Sequence, residues 1–159
     1  MIGYHTMKRN ILIVLMLLVS LVVGIVAWPK ELTEEERIEQ VIIDIRDGIE
    51  QEILAEVMEG FSPDYKDDAG GSYDIIRGLF MRQFLKSDPI TIQLSPMTVE
   101  IEGNTAETNF DAAIFEGEGV SVFAIPNSED VLHFNVLLTK DAEGEWKITS
   151  HTREFNVEE

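Results

Sequence analysis

"VLHFNVLLTKDAEGEWKITSHTREF", Val131 to Phe155, alternates apolar and polar residues on both sides of an acidic, glycine-bearing turn. Leu132, Phe134, Val136 and Leu138 share one face of its first half, and Trp146 and Ile148 are apolar on its second. A period of two suits a strand with one buried face, so the stretch predicts an antiparallel hairpin around "DAEGE". The same period runs back to Ile90. "ITIQLS" alternates Ile90, Ile92 and Leu94, and "TVEIEG" alternates Val99 and Ile101. "NTAETNFDAAIFEGEG" puts Ala106, Thr108, Phe110, Ala112 and Ile114 on one face, with Thr105, Glu107, Asn109 and Asp111 on the other. "GVSVFAIPNSED", residues 119–130, reads as a short strand or flap followed by a turn. Trp146 is expected in the core, because it shares a face with Ile148.

The residues before Ile90 keep a helical period instead. "TEEERIEQVIIDIRDGIEQEILAEVMEGF" opens on Thr33 and Glu36, the spacing of a capping box, with acids in the first turn where the helix dipole favours them. Ile38, Val41, Ile42, Ile45 and Ile49 make one apolar face; Ile53, Leu54, Val57, Met58 and Phe61 make a second set. A break is expected around Gly48–Gln51, with one kinked helix as the alternative. Ser72 is a candidate N-cap for a third helix carrying Ile75, Ile76, Leu79, Phe80 and Phe84, ended by "SDP" at Ser87–Pro89. Three helices followed by about four to six antiparallel strands predict an α+β domain, its N-terminal helices packed on a curved sheet.

Three stretches carry a resemblance to a known superfamily. They are the helix pair ending in "GFSPDY", the third helix "SYDIIRGLFMRQFL", and the closing hairpin with its acidic-Gly turn followed by Trp-Lys-Ile. Together they resemble the nuclear transport factor 2-like superfamily, an α+β cone, over roughly residues 34–156. The resemblance implies a cone whose mouth opens between helices and sheet. It leaves function open, because members include isomerases, dehydratases, epoxide hydrolases and non-catalytic binding or assembly domains.

At the N-terminus, Ile11 to Trp28 holds no charged residue, and Lys8 and Arg9 precede it. As a helix this run would rise roughly 27 Å, close to the hydrocarbon thickness of a bilayer. It is read as a transmembrane signal-anchor behind a cytoplasmic tail of residues 1–10, with residues 29–33 as linker; a cleaved signal peptide is the competing reading. Either way the domain is expected outside the cytoplasm, periplasmic or extracellular. From Pro29 onward 10 basic residues stand against 30 acidic ones, which excludes nucleic acid as a natural partner. The absence of cysteine rules out disulfides and thiolate chemistry.

The stretch "GFSPDYKDDAGGSYD", Gly60 to Asp74, is the candidate site. Its acids do not match a calcium-loop spacing, and no metal or organic cofactor is expected. In ketosteroid isomerase-like relatives the general base is an aspartate shortly after the second helix, and the resemblance carries that role to Asp67. The same relatives draw oxyanion donors from a first-helix tyrosine and an acid on the penultimate strand. Here those positions are apolar, the second near Val136. The bland reading makes Asp64 and Asp67 turn and capping residues, with Gly70 and Gly71 supplying positive φ. Pocket-lining candidates are Tyr65, Asp64, Asp67, Phe80, Phe110 and Phe134. By strict alternation His133, Asn135, Thr149, His151 and Arg153 lie on the outer sheet face, where they would form the least acidic patch for a homodimer. Function is expected to be that of a non-catalytic extracytoplasmic binding or assembly module of the cell envelope, with an envelope protein as a possible partner. The alternatives are an apolar-ligand-binding domain or a cone-fold isomerase or hydrolase using Asp67.

Overall fold

The computed structural model describes residues 31–85, 89–117 and 131–155. The run Ile11–Trp28 and the segment 119–130 lie outside them. No helix among the described residues is long and apolar enough to cross a membrane.

Helix α1 spans Glu34–Glu50 and opens with the capping box: the Glu36 amide donates to Thr33 Oγ1, and the Thr33 amide donates to Glu36 Oε2. Ile38, Ile42 and Ile45 form its buried stripe. The chain breaks after Glu50, where Glu52 takes φ +58°, and resumes as α2, Leu54–Glu59. Gly48 lets the two helices meet, since a Cβ there would lie 2.9 Å from Val57 Cγ2. Helix α3 spans Tyr73–Phe84. Ser72 occupies its N-cap position in extended conformation, but its side chain makes no capping bond.

Among the described residues five antiparallel strands follow: β1 (Ile90–Leu94), β2 (Thr98–Glu102), β3 (Thr105–Glu116), β4 (Val131–Lys140) and β5 (Trp146–Phe155). The order is β1-β3-β4-β5, with β2 sharing β3. β1 pairs with the C-terminal half of β3 and β2 with its N-terminal half. The helices cover one face, and the core gathers Ile38, Ile42, Val57, Met58, Phe61, Tyr65, Val136, Leu138, Trp146 and Ile148. The fold is therefore α+β, with helices on a curved antiparallel sheet.

One irregularity redirects the last strand. The β4–β5 register pairs Leu138 with Ile148 but Leu137 with Ser150, so Thr149 is an extra residue in a bulge. Its carbonyl accepts the Lys66 amide at 3.0 Å. Beyond the bulge the faces exchange: Val136 pairs with His151 and Phe134 with Arg153. His151 and Arg153 are thus on the inner face with Phe134, contrary to the expectation from strict alternation. The outer face keeps His133, bonded to Asp111 at 2.8 Å, and Asn135, bonded to Asn109 at 2.9 Å and to Glu107. Arg153 and His151 are not on that face, where Asp111 and Glu107 stand beside His133 and Asn135.

Candidate ligand cavity

The mouth of the cone is an apolar cavity of about 590 Å³. That volume falls within the usual range for small-molecule sites. Its walls come from α1 (Ile42, Ile45, Ile49), α3 (Ile76, Leu79, Phe80) and the inner sheet face (Ile92, Phe110, Ala112, Phe134). Each wall follows from the sequence period of its element: helical spacing on α1 and α3, alternation on β1, β3 and β4. The cavity reaches solvent, because Leu79 is 49% exposed and Ile114 is 37% exposed although both line it. Phe110 and Phe134 stack at 5.5 Å between centroids and set part of its floor.

Among the described residues the polar members of the lining are few. They are Arg46, Arg82, Gln83, Glu116, His151 and Arg153. Arg46 is held by Asp47 at 2.6 Å. Arg82 and Arg153 have no carboxylate partner among the described residues.

Behind His151 stands a three-residue relay. Tyr65 is 1% exposed, and its hydroxyl lies 2.9 Å from Asp67 Oδ2 and 2.5 Å from His151 Nδ1. The Asp67 carboxylate is fixed from the other side by the Gly71 amide, which donates to Oδ1 at 2.6 Å. A side chain at Gly71 would collide with that carboxylate, since a Cβ would fall 2.2 Å from Oδ2. The Gly71 bond, opposed by partial desolvation and helped by the Tyr65 hydroxyl, holds Asp67 below the usual carboxylate range. Burial, with the neighbouring Asp67 charge, pushes the Tyr65 phenol well above its ordinary value.

An ionised Asp67 only accepts, so the single Tyr65 proton points to it. Tyr65 oxygen must then accept from His151 Nδ1–H, which assigns the tautomer of the ring. Nε2 remains an acceptor on a side chain that lines the cavity, and no described residue occupies it. Burial lowers the pKa of His151; Asp67 opposes that shift and Arg153 adds to it. The imidazole is therefore neutral at neutral pH.

The expected site residues divide accordingly. Phe80, Phe110 and Phe134 line the cavity. Tyr65 and Asp67 stand one shell behind, reached through His151, and neither is part of the wall. Asp64 is exposed, in a turn where its amide donates to Ser62 Oγ at 3.2 Å. A base at Asp67 does not fit this geometry, because its oxygens are taken up by Gly71 and Tyr65 and it does not face the cavity. Gly70 takes φ +85°, whereas Gly71 is needed for close approach rather than for positive φ. His151, in the relay, and Arg153 beside it face the cavity and not the outer surface, because the bulge at Thr149, of which alternation carries no sign, turns them inward. Among the described residues no cluster of three or more acids and histidines is arranged to hold a metal ion.

No protein-family model matches the sequence, and no curated protein matches it. Solved structures do share its fold. A nuclear transport factor 2-like protein with a cystatin-like fold from Novosphingobium aromaticivorans superposes with TM-score 0.63 at 18% identity, over 79% of this chain and 84% of that one. A candidate ketosteroid isomerase from Shewanella frigidimarina gives 0.57 at 15% identity, over 74% and 94%. Bdellovibrio bacteriovorus Bd1075 gives 0.61 at 10% identity over 76% of this chain, which spans 40% of that larger protein. The chain thus has the nuclear transport factor 2-like, cystatin-like α+β cone fold.

Proposed function

We propose that this cone is a non-catalytic binding domain for a small, largely apolar molecule held between α1, α3 and the sheet. The observation that carries the reading is the cavity: about 590 Å³, open to solvent, with Ile, Leu and Phe walls and few polar groups. A cone that served only as an assembly surface would gain stability by filling that volume, because empty apolar space forfeits packing. Chemistry at Asp67 is left out of the reading because its carboxylate is engaged behind Tyr65.

The domain is further proposed to stand outside the cytoplasm on an N-terminal anchor at Ile11–Trp28. Support comes from Lys8 and Arg9 before the run and from the absence of any acid before Glu31. Protease added to spheroplasts, stripped of any outer barrier but with the inner membrane intact, should remove the C-terminal domain, and protection of that domain until the membrane is lysed would refute the placement.

Binding is tested on the full chain with a photoreactive medium-chain alcohol, a neutral apolar probe, followed by peptide mapping. Label should attach at cavity residues such as Leu79 and Leu132. Ala112→Phe, which fills the cavity from its floor, should abolish that label. No label in the cavity, or equal label in Ala112→Phe, would end the reading.

A further inference from the structure

Resting on that reading, we infer that the ligand is an amphiphile with an apolar body and one anionic group, its charge received by Arg153 and Arg82 at the cavity wall. The inference comes from the distribution of charge. From Pro29 onward the chain has 10 basic residues against 30 acidic ones. Among the described residues the cavity lining reverses that sign, with three arginines against one glutamate, Glu116. Five arginines occur in the domain, at 37, 46, 77, 82 and 153, so three of them line one apolar cavity. Among the described residues no lysine joins them there.

The arginines are not equivalent. Arg37 bridges Glu34 and Glu145, and Arg46 is paired with Asp47. Arg153 and Arg82 have no such partner among the described residues, despite the excess of carboxylates in the domain. Arg153 is brought inward by the bulge at Thr149, opposite Phe134. It stands two residues from His151 on the same face of β5, beside the relay. Guanidinium presents a planar fork of donors that matches a carboxylate in two-point contact, and both side chains are exposed at the rim, where an entering head group can reach them. His151 is neutral and offers an acceptor at Nε2, so it adds no attraction for an anion; the two arginines set the sign. The apolar body then occupies the space between Phe80, Ile92, Phe110 and Phe134.

The relevant comparison is between two photoreactive probes of equal chain length, a medium-chain fatty acid and the matching alcohol, applied to the full chain in the same lipid. The acid should label the cavity with half-saturation at least about tenfold below that of the alcohol, the yield of roughly one charge-assisted hydrogen bond. The double variant Arg82→Gln/Arg153→Gln should lose that advantage and retain alcohol labelling. Arg82→Lys/Arg153→Lys should keep part of it, and an unchanged melting temperature in each variant establishes that the fold persists. Equal labelling by acid and alcohol in the wild type would overturn the head-group assignment while leaving the apolar-ligand reading intact. The arginine stems would then be wall alone. Acid preference unchanged in the Gln variant would overturn the role of these two residues. Failure of both probes to label the cavity would remove the underlying reading as well.

Discussion

The two ends of the cone are built from the same strands and are packed in opposite ways. At the α1–β5 end, Ile38 is 0% exposed, Leu138 1% and Trp146 2%. At the α3 end the same β3 and β4 carry Phe110 and Phe134 along the wall of an open cavity, and Leu79 of α3 is 49% exposed. The closed end is also tied electrostatically. Glu34 accepts from the Trp146 indole at 2.8 Å and pairs with Lys140 at 2.7 Å, while Lys140 sits 5.0 Å from the indole centroid. Those bonds, the Lys140 contact first, lower the Glu34 carboxyl to about 2. One end thus holds the fold together and the other keeps space free, which is how a small domain can tolerate an unfilled volume.

The largest expected effect tests that division directly. Trp146→Ala should cost about 3–5 kcal/mol in denaturant unfolding, as large core truncations do. Leu79→Ala at the open end should stay within about 0.5 kcal/mol, the usual range for exposed positions. Equal losses at the two positions would mean that the cavity end contributes as much to stability as the closed end.

The sequence made the closed end legible and half of the open one. Periodicity placed α1, the five described strands and the inward rows through Phe110 and Phe134, because each of these elements except β5 follows one repeat from end to end. It could not place His151 and Arg153. A bulge adds one residue without changing composition, and "TSHTREF" alternates as regularly on either face. The signal lies elsewhere in the fold, in the Thr149 carbonyl that receives Lys66 from the turn after α2. Asp67 was conspicuous for the opposite reason. It stands out in a loop of acids, yet its role is to orient Tyr65.

The relay gives the next effect. Tyr65→Phe removes the hydroxyl that joins Asp67 to His151 while preserving the ring against Phe61, 5.4 Å away. The loss should be about 1–3 kcal/mol, because a half-buried imidazole N–H is left without its acceptor. A change below the precision of chemical denaturation would show that the turn at Asp67 is held by Gly71 alone.

Acid should weaken the open end through His151. The groups facing this ring are Tyr65 and Asp67 behind it, Arg153 along its own strand and Phe134 opposite. Burial depresses the folded-state value below the ordinary 6.5, so the unfolded chain takes up the proton first as pH falls. The stability present above the ordinary value is lost as pH drops through the folded one. Asp67, also depressed, acts in a separate and lower window, beneath 3.8. Melting temperature should therefore fall between about pH 7.5 and about pH 5.5 in the wild type, and fall less in His151→Gln. Parallel slopes would place the titration somewhere other than the cavity wall.

The smallest effect probes a single polar group inside the core. Thr108 is 0% exposed on β3, and its Oγ1 has no hydrogen-bond partner among the described residues. It pairs with Val99 on β2 and with Val136 on β4, so its surroundings are those of a valine. A hydroxyl buried without a partner has lost its hydration and gained nothing in return. Thr108→Val keeps the branched shape and removes that group, so it should stabilise the domain by about 1 kcal/mol. Destabilisation instead would show that the hydroxyl is satisfied in solution, by a water admitted from the cavity, and the boundary between the closed and open ends would then lie on the β2 side of Thr108.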